Sequence, residues 1–207
     1  RIHHDFMKGS VPMTHLRASF WSLLVLGTML SSCGPKPGVE HLDALQRTLV
    51  DLDSAETVYR QAPLESAAPA FAKADSALMA IESQMVGLIV NLEQGKPFSA
   101  LDERRRMLRR QPGRQRRIEQ ELDRTRRQIG RLIEAIVDGA TVDAEGTPID
   151  TAYLNKSATD ELRIAGHLIE EMGIALKFLE RGTIDLDRVI HTADSAARAL
   201  TSIPTQP

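Results

Sequence analysis

The sequence predicts an all-α fold: an antiparallel helical hairpin or bundle of about four to five helices, with coiled-coil-like packing, following an N-terminal leader. Three observations point there. Aromatic residues make up only 4% of the chain, and the β-branched and aromatic runs that sheets use are missing. After Gly38, apolar residues recur at three- and four-residue steps, the signature of amphipathic helices. Proline and glycine cluster between those periodic stretches.

In chain order, Leu42, Leu45, Leu49 and Leu52, continued by Glu56 and Tyr59, predict a first helix over Val39–Gln61, ended by Ala62 and Pro63. A second helix is predicted over residues 65–94, with Phe71, Leu78, Ile81, Met85, Leu88 and Leu92 on its apolar face and Pro69 tolerable only near its start. Gly95-Lys96-Pro97 reads as a break. Ser99 followed by Asp102 resembles an N-terminal cap for a short helix to about Arg110, and Gln111-Pro112-Gly113 reads as a turn. The strongest pattern follows. Ile118, Leu122, Thr125, Ile129, Leu132 and Ile136 have heptad-seam spacing, stopped by Gly139.

Such a seam requires a facing helix. The next one supplies it: Thr147 is read as its cap, with Pro148 in the first turn and Asp150 as the early acid. Its stripe runs through Leu154, Ala158, Leu162, Ala165, Ile169, Met172, Leu176 and Leu179 to Gly182. A last helix from Ile184 to about Leu200 carries Leu186, Val189, Ile190, Ala193 and Ala197. These stripes fit an internal core better than a surface for a partner helix, although the alanine-rich faces keep a homo-oligomer open.

The chain's one cysteine lies at the end of the apolar run FWSLLVLGTMLSSCG, residues 20–34. The run is shorter than the roughly 20 residues that cross a bilayer, and Arg17 precedes it, the layout of a secretory signal peptide. Translation from Met7 or Met13 would give this leader a short basic start, leaving residues 1–6 upstream. Leu30-Ser31-Ser32-Cys33 resembles the lipobox of bacterial lipoproteins. That resemblance implies cleavage between Ser32 and Cys33 and a covalent diacylglycerol and N-acyl lipid (palmitate-type chains) on Cys33, with no other cofactor. Gly34 after the cysteine implies delivery to the outer membrane, with the body facing the periplasm or the cell surface. The expected organisation is upstream residues and signal peptide over 1–32, lipidated cysteine and Pro/Gly tether over 33–38, helical bundle over 39–203 and a disordered tail over 204–207. A body without further cysteine must rely on packing rather than disulfides.

The segments LVDLDSAETVYRQ, RQIGRLIEAIVDG, TAYLNKSATDELRIAGHLIEEM and DLDRVI also resemble a group of uncharacterised helical lipoproteins of Gram-negative bacteria. The resemblance implies an all-helical surface lipoprotein and no particular activity.

The chain's formal net charge is −2, but its distribution is uneven. Between Arg104 and Arg131 twelve arginines face only Glu119, Glu121 and Asp123. Guanidinium groups make bidentate contacts with phosphates and carboxylates, so Arg105, Arg106, Arg109, Arg110, Arg116, Arg117 and Arg127 are candidates for binding an acidic protein or an anionic envelope component. The competing reading is a solvated face paired with acidic neighbours inside the bundle. Nucleic acid is not expected, because no aromatic residues interleave with the arginines for base stacking. His167 lies one turn from Glu170 and Glu171, but the residue three before it is Ile164, so the Glu-x-x-His pattern of dimetal bundles fails and no metal is expected. His191 stands alone, and Asp138, Asp143 and Glu145 lack the alternating pattern of a calcium loop. Ser76, Ser83 and Ser157 sit in no nucleophile motif. No catalytic residues are expected, and the function read from the sequence is a non-enzymatic, membrane-anchored interaction module. A helical carrier or sensor of a small ligand or metal in the periplasm is the alternative.

Overall fold

The computed structural model describes residues 36–202. Ser32, Cys33, the leader and the 204–207 tail lie outside them. Six α-helices and one short 3-10 turn account for nearly all of the described chain: α1 Val39–Gln61, the turn Leu64–Ser66, α2 Ala67–Gln84, α3 Leu92–Arg109, α4 Gln111–Asp138, α5 Thr151–Thr183 and α6 Leu186–Thr201. No β-strand occurs among the described residues; Val142 and Pro148 form one isolated antiparallel bridge. The all-α bundle expected from the sequence is the fold, with six α-helices among the described residues.

The helices join end to end into three long rods. The first is α1 with α2, the second α3 with α4, the third α5 with α6. The first and third run the same way: His41 Nε2 lies 2.7 Å from Asn155 Oδ1, and Lys73 pairs with Asp187. The second runs against both, since the Gln111 amide donates to the Ala175 carbonyl at 3.0 Å and Arg105 reaches back to Asp75 at 3.0 Å. A rod of this length spans about 70 Å at the usual helical rise.

All three rods break near the same level. In the first rod Ala62-Pro63 ends α1, because proline lacks the N–H an ongoing helix would use, and the chain restarts through Leu64–Ser66. In the second the break is the single residue Arg110. In the third, Asp185 adopts a left-handed conformation at φ 53° between α5 and α6. The core divides at this waist. Leu45, Leu52 and Tyr59 of α1, the α4 seam, and Leu154 to Ala175 of α5 form one cluster. Ala67 to Ile81 of α2, Leu101 and Leu108 of α3, Leu179 of α5 and the α6 face form the other.

Every seam position from Ile118 to Ile136 is buried, and its partners are α1 as well as α5. On α5, Leu154, Ala158, Ala165, Met172 and Leu179 are buried as expected, joined by Leu168 and Ala175; Leu162, Ile169 and Leu176 pack at the margin. Gly182 is buried where α5 crosses α3, and a Cβ there would sit 2.7 Å from Leu108 Cγ, so close approach rather than helix termination is its role.

Several boundaries differ from the sequence expectation for identifiable reasons. The second predicted helix stops at Gln84. Gly87, at φ 83°, makes the turn that a side chain would strain, so Leu88 and Leu92 are exposed instead of lying on a helical face. Gly95-Lys96-Pro97 is not a break. Asn91 and Gln94 form a reciprocal capping box that starts α3 at Leu92, and Pro97 sits just beyond the first turn, where it removes one helical hydrogen bond. Ser99 and Asp102 are therefore interior rather than capping. Gln111-Pro112-Gly113 is the first turn of α4, a position that accepts proline. The cap of α5 is Asp150, whose carboxylate accepts from the Tyr153 N–H at 2.7 Å. Thr147 instead lies in the loop, its carbonyl accepting from the Asp143 N–H.

Candidate anion-binding surface

The arginines fall along the second rod, which has the other two on one side and solvent on the other. On α4 the buried seam and the outward arginines are separated by helical geometry. At 3.6 residues per turn, Arg116, Arg117, Arg124, Arg127 and Arg131 fall within an arc of about 100° opposite the seam. The heptad that buries Ile118, Leu122, Ile129 and Ile136 thus also collects these arginines on one face.

Five of the twelve arginines have acidic partners. Half-buried Arg105 donates to Asp75 at 3.0 Å and to Asp102 at 2.8 Å; the bonds to Asp75, then Asp102, push its pKa further up. Arg106 lies 3.2 Å from the second oxygen of Asp102. Arg114 is 3.9 Å from Glu171 and stacks over Phe178 at 4.7 Å from the ring centroid. Arg124 pairs with Glu121 at 3.3 Å. Arg126 bridges to α1, donating to Asp53 at 3.1 Å and to Glu56. Burial raises the Glu56 pKa, but hydrogen bonds from Arg126 and Arg60 outweigh it and hold the carboxyl below its ordinary value.

Among the described residues Arg104, Arg109, Arg110, Arg116, Arg117, Arg127 and Arg131 have no ion pair, and six of them are exposed, Arg104 being half-buried. Of the seven sequence candidates, Arg105 and Arg106 are held by carboxylates, whereas Arg109, Arg110, Arg116, Arg117 and Arg127 point into solvent. The solvated-and-paired reading therefore describes part of the run, and an unpartnered cationic face describes the rest. Glu119 and Asp123 share these turns without pairing to them.

A groove follows the boundary between this rod and α5. Its upper part, about 260 Å³, is lined by Glu103, Arg106, Met107, Arg110, Arg114 and Phe178. Its lower part, about 370 Å³, is lined by Arg114, Arg117, Ile118, Ile164, His167 and Leu168 and also by the carboxylates Glu121 and Glu171. Arg114 joins the two. The sequence candidates did not include Arg114 because its role depends on Phe178 and Glu171 from another helix; an arginine four residues from Arg110 and three from Arg117 was the available signal.

His167 Nδ1 lies 3.8 Å from Glu170, both exposed. Among the described residues no group of three or more His, Cys, Asp and Glu side chains is placed to hold a metal ion, and no helix is long and apolar enough to cross a membrane. A separate cleft of about 500 Å³ beside the α4–α5 loop contains Arg131, Asp143, Tyr153 and Glu161. Burial raises the Glu161 pKa, with nearby Arg124 opposing it.

Comparison with protein-family models, curated proteins and solved structures finds no match to this chain. The fold defines it as an all-α helical-bundle protein with an arginine-rich outer face.

Proposed function

We propose that this protein is a non-enzymatic envelope lipoprotein, anchored through acyl groups on Cys33, whose helical bundle binds an acidic protein or an anionic envelope component through its arginine face. The observation that carries the binding part is the alignment of Arg116, Arg117, Arg127 and Arg131 without carboxylate partners on one arc of α4. Aligned guanidinium groups concentrate positive potential and offer forked donors to carboxylates or phosphates. Anchoring rests on the resemblance of Leu30-Ser31-Ser32-Cys33 to a lipobox. Membrane attachment by more than one acyl chain holds firmly where a single chain would not.

Photo-crosslinking in the native envelope from positions 109, 116 and 127 tests the surface, with an arginine-to-glutamine variant as control. A specific adduct lost on neutralisation supports the reading, and absence of any arginine-dependent adduct overturns it. Incorporation of labelled fatty acid tests the anchor: the Cys33→Ser variant must lose it.

A second reading, a carrier for a small amphipathic anion, draws on the lower groove, where Ile118, Ile164 and Leu168 make an apolar floor beneath Arg114, Arg117 and His167. In that case the isolated protein binds its ligand without the envelope, and Ile164→Glu, at a half-buried groove position, abolishes binding while leaving the crosslinks from position 127 intact.

A further inference from the structure

The end of the bundle opposite Gly38 carries an apolar projection unrelated to the arginine face. Between α2 and α3 the chain turns through Gly87, exposing Val86 at 83%, Ile89 at 98% and Leu92 at 84%, with Leu88 half as exposed beside them. Ten consecutive residues, from Ser83 to Leu92, carry no charge. The collar below is close to neutral: Glu93 pairs with Lys96 at 2.5 Å and Asp194 with Arg198 at 2.6 Å, while Glu82 is exposed. Isolated exposed apolar residues are ordinary on protein surfaces, but a contiguous cluster marks a docking site.

From this geometry we infer that the α2–α3 turn is a lipid-docking tip that inserts Val86, Leu88, Ile89 and Leu92 into the apolar boundary of a bilayer. Two observations favour a bilayer over a second copy of this chain. The turn is a convex knob at a helix-hairpin end, so tip-to-tip contact buries only these few side chains, on the order of 100 Å² each. That falls well short of the roughly 800 Å² per partner of a stable interface. The uncharged decapeptide also ends where Glu82 and Glu93 begin on the two helices, which limits insertion to the turn itself. Shallow burial of a few apolar side chains at the headgroup boundary is the mode of interfacial attachment. With the collar close to neutral apart from Glu82, insertion is driven by apolar burial, so neutral phosphatidylcholine vesicles suffice and added salt has little effect. This inference is independent of the arginine reading, and either can fail alone.

The experiment places a tryptophan probe at the tip of the full chain, Ile89→Trp, with Trp21→Phe so that an uncleaved leader adds no second fluorophore. The control is Val58→Trp at an exposed position in the last turn of α1, midway along the first rod. Vesicles of phosphatidylcholine brominated on the acyl chains quench only a fluorophore within the bilayer. The expected result is several-fold quenching of the position-89 probe, none of the position-58 probe, and loss of quenching when Val86→Asp and Leu92→Asp are added, with helical circular dichroism unchanged. Equal, unquenched emission from both probes overturns the inference. Concentration-dependent shielding of the position-89 probe without vesicles, unaltered when vesicles are added, also overturns it and makes a second copy the occupant.

Discussion

Replacing Thr125 by valine makes the protein more stable. Thr125 lies in the middle of the α4 seam, 1% exposed, and its hydroxyl has no hydrogen-bond partner among the described residues. In the unfolded chain that hydroxyl is hydrated, so folding strips its water without replacement, at a cost of about 1–3 kcal/mol. Valine has nearly the same shape and a similar helix propensity, and its second methyl joins the apolar surface formed by Leu122 and Ile129. The expected gain is about 1–2 kcal/mol. A body of this size gains about 2–4 °C in Tm per kcal/mol, so the midpoint of thermal unfolding rises by about 2–8 °C. Urea titration followed by helical circular dichroism should show a higher midpoint at unchanged slope. A lower midpoint for Thr125→Val would mean that the hydroxyl is satisfied in the folded protein and would refute the reasoning. Tyr59→Phe tests the same argument one helix away, since the buried Tyr59 hydroxyl also lacks a partner.

Gly182→Ala should destabilise by about 1 kcal/mol, because overpacking against Leu108 costs about 2 kcal/mol and the gain in helix propensity returns about 1 kcal/mol. A variant as stable as the parent in the same urea titration would show that the α3–α5 crossing yields freely. Glu56→Gln should lower stability at neutral pH by about 1–2 kcal/mol through weaker hydrogen bonds to Arg126 and Arg60. Since the folded-state pKa of Glu56 is depressed, its contribution is present above the ordinary carboxylate pKa of about 4.3 and disappears as pH falls through the folded value. The difference between parent and variant should therefore close in acid; a gap that stays constant with pH would remove Glu56 as its source.

The heptad seam was legible because one helix face has to meet the core at every turn, and burial of Ile118 through Ile136 follows from spacing alone. The first helix was equally plain, its proline stop being a local chemical fact. The α2–α3 junction was not. Met85, Leu88 and Leu92 extend a helical apolar pattern in sequence, and only the turn at Gly87 and the Asn91–Gln94 box separate them. Periodicity cannot distinguish an apolar helix face from an apolar loop of the same composition. Proline misled at two positions. Pro97 and Pro112 were read as interruptions, yet both lie close enough to a helix start to be accommodated. For the arginines, sequence revealed the charge but not its division: Asp75 is thirty residues from Arg105 and Asp53 is seventy-three from Arg126, so their neutralisation exists only once the rods pack together.

The shared waist has a further consequence. Of the six helices, α5 alone supplies fully buried core residues to both clusters, Leu154 to Ala175 on one side and Leu179 on the other. Cooperativity between the two halves therefore passes through α5, with Leu64 of the first rod, which packs against both clusters, as the other link. Native-state hydrogen exchange should divide into two blocks of amides with distinct opening free energies, changing over along α5 near Ala175. A bundle of three unbroken rods would open as one.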